Sequence, residues 1–402
     1  MTVAIKRGEL AVDGGTPVRS TMLPYARQSI SEEDIQSVVD VLRSDWLTTG
    51  PKVAEFEEAF AAYVGAKYAI SFSSGTAALH GAAFAAGLQA GDEAITSPMT
   101  FAATANCILY QGATPVFADV CSDTLNVDPD QIARRIGRNT RVVIPVDYAG
   151  HPADHDTILD LADRHGLIVI EDACHALGAK FRGRPVGSVA HMTAFSFHPV
   201  KHLATGEGGM VTTDRADFAE KLRRFRNHGI SRDARTRDAA GDWQYDMVLL
   251  GHNYRLTDIA CALGLGQLKR MEENLARRRH IAATYRAALG HLTGVILPVV
   301  KQEVTPASHL YPIRLDLTRI AASRTEVYRA LRAENIGVNV HYMPVHLLQY
   351  YRERFGYKPG DFPVAEHAYE QLISLPLFLA MSDRDTADVI EAVTKVMEHF
   401  AN

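Results

Sequence analysis

"YAISFSSGTAALHGAAFAAG", residues 68–87, reads as a strand that passes through a short turn into a helix. "YAISFSS" carries aromatic and β-branched residues and no charge, the make-up of a buried strand. "TAALHGAAFAAG" is rich in alanine, the best helix former, and ends at a glycine. Between them lie Ser73, Ser74, Gly75 and Thr76. A strand-to-helix turn of this kind aims backbone N–H groups, hydroxyls and the positive helix end at one spot, which suits an anion such as phosphate. The same residues also make an ordinary helix cap. The turn fixes the local fold and leaves the ligand open.

The unit recurs along the chain. "EAITSP" is followed by a helical "ATANCILYQG". "TPVFADV", "RVVIPVDY", "LIVIEDA", "TAFSF" and "GGMVTTD" read as further strands, seven in all, with helical stretches such as "DTILDLADRHG" between them. Apolar strands alternating with helices predict an α/β fold with a mostly parallel sheet covered on both faces. Ligands in such folds sit beyond the carboxyl ends of the strands. Two helices precede the first strand. "SEEDIQSVVDVLRS", 31–44, has a serine cap and an acidic first turn, and "PKVAEFEEAFAAYVG", 51–65, starts on a proline and ends at a glycine. The polar stretch 231–247 reads as a mobile loop. Residues 257–289 read as one long helix leading into a smaller α+β domain. The expected division is an N-terminal arm at 1–24, a large domain at 25–269 and a small C-terminal domain at 270–402.

The chain has 402 residues, 47% hydrophobic and 22% charged, ordinary values for a globular enzyme of about two domains. A net charge of −5 argues against a broad nucleic-acid surface. The most basic stretch, 223–237, reads as a solvated helix and loop. Cys107, Cys121, Cys174 and Cys261 form no CxxC pair, so neither a disulfide framework nor a zinc knuckle is expected. The N-terminus lacks the apolar core of a signal peptide, and no 18-residue apolar run occurs. A cytoplasmic protein with no membrane partner is expected.

Three more positions join the turn. In "LIVIEDACHALG", 167–178, Asp172 ends a buried strand, where a carboxylate is costly unless paired. It reads as a cap, as a structural ion pair, or as an acid that keeps a bound heterocycle protonated. In "SPMTFAATAN", 97–106, Phe101 follows a strand end, placed either for core packing or to stack on a flat ligand ring. In "SFHPVKHLATGEGGM", 196–210, Lys201 lies between a buried strand and the glycines at 206, 208 and 209. A lone lysine is ordinarily a surface residue, but a desolvated one sheds its proton and attacks carbonyls. Each signal alone has a plain structural explanation. Together they meet the needs of pyridoxal phosphate: a phosphate cup, a stacking ring, an acid for the pyridinium nitrogen and a Schiff-base lysine.

At this point the chain resembles the sugar aminotransferases of the DegT/DnrJ/EryC1/StrS family, of aspartate-aminotransferase fold type (fold type I), over about residues 22–400. The matching motifs are "LTTGPKVAEFE", "SSGTAALH", "TFAATAN", "EDACHALGA", "SFHPVKHLATGEGGM" and "NYRLTDIACALG". The resemblance implies that Lys201 holds the cofactor's aldehyde and shuttles protons. It implies that Asp172 pairs with the pyridine nitrogen and that His175 bonds the phenolic oxygen. Ser74, Gly75, Thr76 and Ser196 would bind the phosphate, and Phe101 would stack on the ring. Asn253 would reach the cofactor phosphate or substrate from the partner subunit of a homodimer, although "NYRLTD" also reads as a helix cap. Tyr25, Leu47, Thr48, His341 and Tyr342 match segments lining a sugar-nucleotide cleft. "SFHPVK", "DYAGHPAD" and "GVNVHYMP" look most like transaminases of pseudaminic acid synthesis. Glutamate would then load the cofactor as pyridoxamine phosphate. A UDP-4-keto-6-deoxy-N-acetyl-altrosamine sugar would take the amine at C4. The first 21 residues look dispensable and gain no role from the resemblance.

Rival readings are separable. The family's 3-dehydratases that keep the amine form free carry histidine where this chain has Lys201, and no cysteine cluster for an iron–sulfur dehydratase is present. A non-catalytic pyridoxal phosphate-binding protein would lack glutamate-driven bleaching. The same chemistry on UDP-4-keto-6-deoxy-N-acetylglucosamine, a UDP-4-keto-pentose or GDP-4-keto-6-deoxymannose is the nearer alternative.

Overall fold

The computed structural model describes residues 9–231, 241 and 243–401. The seven expected strands are β1 (Tyr68–Phe72), β2 (Glu93–Thr96), β3 (Thr114–Phe117), β4 (Thr140–Ile144), β5 (Ile168–Asp172), β8 (Met192–Ser196) and β9 (Gly209–Thr213). Two short strands, β6 (Lys180–Phe181) and β7 (Arg184–Pro185), lie between β5 and β8. The large sheet has the order β1-β9-β8-β5-β4-β2-β3. Its pairings are parallel except for β1–β9 and β8–β9.

Alternation along the strands sends neighbours to opposite faces. Ile170 packs against the Gly75–Ala85, Ala102–Tyr110 and Ala216–Phe225 helices. Val169 packs on the other side against Ile132, Ile158 and Ala162. Both faces are therefore largely apolar, with a few buried polar side chains such as Glu171, Thr193 and Thr212 set among them.

Beyond the large sheet, β10 (Val295–Ile296), β12 (Tyr311–Leu315) and β13 (Leu372–Leu375) form an antiparallel sheet, while β11 (Val304–Thr305) pairs with β6. The Met271–Leu289, Arg324–Ala333 and Asp383–Phe400 helices share a second core with β12 and β13. The expected long helix is two helices, Asp258–Lys269 and Met271–Leu289, because Arg270 leaves helical geometry at φ −101°, ψ 12°. In the basic 223–237 stretch, Arg226 is not solvated: it is tied to Glu57 and to the Ser71 carbonyl. Most of the expected 231–247 loop (232–240 and 242) lies outside the described residues.

The described part of the arm is packed against the second core. Leu10 is fully buried in the second core. Buried Glu334 accepts the N–H groups of Ala11 and Val18, each at 2.9 Å, and pairs with Lys395 at 2.8 Å. Arg19 bridges Asp385 and Asp388. Replacing Glu334 by alanine orphans two N–H groups and one ammonium together. It should destabilise the fold by about 3 kcal/mol, read as a lower midpoint in urea unfolding. A change within error would mean that Leu10 and the Arg19 ion pairs hold the arm without Glu334.

Candidate active site

The carboxyl ends of β1, β5 and β8 open into one cavity of about 410 Å³. At its electropositive end, Ser74 caps the Gly75–Ala85 helix by accepting the Ala77 N–H at 3.1 Å. The N–H groups of Gly75 and Thr76 lie in the first turn, where a helix offers them no internal acceptor. Gly75 is required by packing: a Cβ there would lie 2.7 Å from the Cβ of Ser196. That contact brings Ser196, at the end of β8, against the helix N-terminus.

Asp172 is buried at the end of β5. It accepts Thr104 Oγ1 at 2.6 Å and the Cys174 N–H at 3.1 Å, both neutral donors. Among the described residues it makes no ion pair, which disposes of the structural ion-pair reading. Lys201 also lines the cavity. Burial lowers its proton affinity, and Cys174 and Asp172 pull it partly back. Phe101 caps the Ala102–Tyr110 helix yet is 62% exposed, so core packing is excluded. Its ring stands at the cavity wall, 6.2 Å from that of Tyr342.

Histidines form the opposite wall. His175 Nε2 is hydrogen-bonded to Tyr342 Oη at 2.9 Å, and its ring lies 4.5 Å from that of His309. His341 Nδ1 meets Ser374 Oγ at 2.9 Å, with Tyr25 5.5 Å away. Burial and the nearby Lys201 ammonium push His175 and His309 well below the usual imidazole range and His341 down to about 4. These rings are neutral at pH 7, able to donate at one nitrogen and accept at the other. A folded-state value depressed below the unfolded value near 6.5 means that the unfolded chain takes up protons first as pH falls. Stability is then complete above pH 6.5 and is lost as pH drops toward 4, with a slope of up to about 1.4 kcal/mol per pH unit for each such histidine. Thermal melts of the cofactor-free protein should be flat from pH 7 to 8 and drop steeply between pH 6.5 and 5. A flat acid limb would mean that the rings are hydrated.

The cavity thus collects Tyr25, Ser74, Gly75, Thr76, Phe101, Asp172, His175, Ser196, Lys201, His341 and Tyr342. Leu47, Thr48 and Asn253 do not line it. Thr48 bridges Thr257 and Asn253 bridges Asn227, in exposed backbone near the start of the Asp258–Lys269 helix. Thr257 caps that helix through the Ala260 N–H, as one reading of "NYRLTD" expects. Sequence reasoning missed Thr104 and His309. Thr104 sits one helical turn after Phe101, a spacing that was available. His309 precedes β12, more than a hundred residues from Lys201, and nothing local marks it.

Residues 28–394 match the model of one family along nearly the whole chain. The chain belongs to the DegT/DnrJ/EryC1/StrS aminotransferase family. Among proteins similar to this family member, the spore coat polysaccharide biosynthesis protein SpsC of Bacillus subtilis is 46% identical over 382 residues, covering 94% of this chain and 98% of SpsC. The UDP-4-amino-4-deoxy-L-arabinose–oxoglutarate aminotransferase of Shewanella sediminis is 40% identical, covering 93% of this chain and 98% of its own length. The structure of Helicobacter pylori PseC, an aminotransferase of pseudaminic acid biosynthesis, superposes with a TM-score of 0.88 at 32% identity, covering 94% and 100%. The putative sugar aminotransferase Spr1654 of Streptococcus pneumoniae, in its PMP form, gives 0.89 at 32% identity, covering 94% and 99%.

The family's aminotransferase fold and its cofactor, pyridoxal phosphate, come with that membership. The cavity fits the group. It offers an anion site at one end, a carboxylate facing neutral donors, an amine whose proton affinity burial lowers, and the buried Nδ1 atoms of His175 and His309, which have no partner among the described residues. No described helix is long and apolar enough to cross a membrane.

Proposed function

We propose that this enzyme moves an amino group from glutamate to C4 of a UDP-linked 4-keto-6-deoxy-N-acetylhexosamine, the altro isomer, in pseudaminic acid synthesis in the cytoplasm. One observation carries the chemistry: a single cavity joins Lys201, the Asp172 carboxylate and the Gly75–Ala85 helix N-terminus. The likeness to PseC and the motifs "SFHPVK", "DYAGHPAD" and "GVNVHYMP" support the sugar.

Bound pyridoxal phosphate supplies a carbonyl that accepts the amine and a ring that spreads the resulting charge. The chain does the rest. Ser74, Gly75, Thr76 and Ser196 would hold the phosphate, and Phe101 would cover one ring face. Asp172 would keep a proton on the ring nitrogen, and His175, steadied by Tyr342, would bond the phenolic oxygen. Lys201 Nζ would anchor the carbonyl end and, as the neutral amine that burial favours, carry protons at the α-carbon of glutamate and at C4 of the sugar. Tyr25 and His341 line the sugar side. Asn253, Leu47 and Thr48 serve the cavity of a partner subunit in a homodimer. Trp46 and Leu47, next to Thr48 in the chain, are exposed apolar residues.

A second reading keeps the chemistry and changes the sugar. The higher identity to the arabinose aminotransferase favours a UDP-4-keto-pentose. An equal mixture of UDP-4-keto-6-deoxy-N-acetyl-altrosamine, its gluco isomer and a UDP-4-keto-pentose, offered with glutamate and resolved by NMR, should show strong consumption of the altro sugar. A win for the gluco isomer, or turnover only of the pentose, would move the enzyme to another pathway and leave the site roles standing.

A further inference from the structure

On the far side of the sheet from Asp172 lies a second polar cluster. Glu171 precedes Asp172 on β5, so its side chain points to the opposite face. There it meets His155, the first residue of the His155–His165 helix, and Asp147, in the loop after β4. All three are fully buried. His155 Nε2 lies 2.8 Å from Glu171 Oε1 and 3.1 Å from Asp147 Oδ1. The remaining contacts come from neutral donors: Thr193 Oγ1 to Glu171 Oε2 at 2.6 Å, and the Ala153 N–H to Asp147 Oδ1 at 2.9 Å.

Charge counting limits the possible states. Two ionised carboxylates against one imidazolium leave a net negative charge in a dry interior, and among the described residues no arginine or lysine pairs with either acid. An unbalanced buried charge is costly. One proton held between the two acids removes it. Burial, then Glu171, pushes Asp147 up to about 7, and the two carboxylates hold His155 well above the usual imidazole range despite its burial. The three ligating groups also lie within 4.8 Å of one another, a spacing that a divalent cation could exploit to reach the same neutrality.

We propose that Asp147, His155 and Glu171 are positioning residues: a neutral, proton-sharing triad that sets the frame of the active site from behind. Its reach is visible in the backbone. The Asp147 N–H donates to the Asp172 carbonyl at 3.1 Å, and the Asp172 N–H donates to the Pro145 carbonyl at 2.9 Å. The same loop then carries the histidine wall. Tyr148 Oη donates to the His341 carbonyl at 2.5 Å, and the Ala149 carbonyl accepts the His309 N–H at 3.0 Å. Gly150 sits so close that a Cβ would meet the His175 carbonyl oxygen at 2.8 Å. Asp172, His175, His309 and His341 therefore share one support, pinned at Asp147 and Ala153 by the triad. The link to catalysis rests on the role proposed for Asp172.

The test uses the holoenzyme and the variants His155→Gln, Glu171→Gln and the double variant. Elemental analysis of the wild type should find no stoichiometric metal. His155→Gln strips both acids of their cation; it should weaken pyridoxal phosphate binding about tenfold and shift the midpoint of the bound cofactor's absorbance titration by more than half a pH unit. Glu171→Gln leaves the His155 imidazolium paired with Asp147, neutral on its own, and should change both less. The double variant leaves Asp147 buried without a cation and should be no better than His155→Gln. Stoichiometric metal in the wild type that the variants lose would overturn the proposal in favour of a metal site. Lowered urea stability with unchanged cofactor affinity and unchanged titration would overturn it in favour of a purely structural brace. Should the variants not fold, histidine ¹⁵N NMR on the wild type decides. One imidazole protonated at both nitrogens up to pH 8 is expected, and its absence sinks the proposal. That NMR arm does not depend on Asp172, so the triad and the aminotransferase reading fail separately.

Discussion

Lys201→Ala should fold, bind pyridoxal phosphate without a covalent link, and turn over at least a thousandfold more slowly than the wild type. In the role proposed for Lys201, the substitution removes both the anchor for the cofactor's carbonyl and the base that carries protons, and a positioned acid–base group alone is worth about 10²–10⁴ in rate. The phosphate cup, Asp172 and Phe101 are untouched, so cofactor affinity should fall by far less than turnover. Stability should hold or rise, because an amine whose charge burial disfavours is gone. A further signature follows from the field of that ammonium. It helps depress His175, His309 and His341. In the variant His341 should titrate above its present value of about 4, though still below 6.5, because burial is the larger cause. Added small primary amines should restore part of the rate. Unchanged turnover without added amine would remove Lys201 from the chemistry.

Much of this arrangement is legible in the sequence, because most of it is local. The seven strands are short apolar runs bounded by turn residues, and each occurs where its run predicts. The cup is written in the adjacent residues Ser74, Gly75 and Thr76, Asp172 by its place at the end of an apolar strand, and Lys201 by the glycines after it. What escapes is what the fold brings from a distance. His309 reaches His175 only because the loop after β4 accepts its backbone, and Tyr342 braces His175 across 167 positions. The break at Arg270 escapes for another reason: its neighbours are good helix formers on both sides, and tertiary packing overrides propensity there. The arm's packing is hidden in the sequence because Glu334, which holds it, lies more than three hundred residues away. The triad is a mixed case. Glu171 is visible beside Asp172, but nothing in the spacing says that Asp147 and His155 close on it.

Asp172→Ala should lower turnover by about 10³ while leaving the sheet intact, and the loss should be recoverable by changing the cofactor alone. The carboxylate is buried and faces only neutral donors, so its charge is available to stabilise a proton on the ring nitrogen. Without it the ring loses that proton and withdraws electrons poorly. Alanine leaves the Cys174 N–H without its acceptor, which costs about 1–3 kcal/mol, while the Thr104 hydroxyl can turn to Thr100 Oγ1 or the Phe101 carbonyl. That cost should show in urea unfolding without disordering the fold. Asp172→Asn separates the two effects. Its amide can bond Thr104 and accept from Cys174, so stability should stay near the wild type while turnover still drops. An analogue of the cofactor methylated at the ring nitrogen carries the positive charge permanently. In Asp172→Ala the missing carboxylate leaves room for the methyl group, and turnover should rise at least tenfold over the variant with ordinary pyridoxal phosphate. In the wild type the same analogue should give no gain, since the charge is already held there. If the analogue fails to rescue while binding normally, Asp172 acts through packing with Thr104 and not through its charge, and the electrostatic account of this site fails with it.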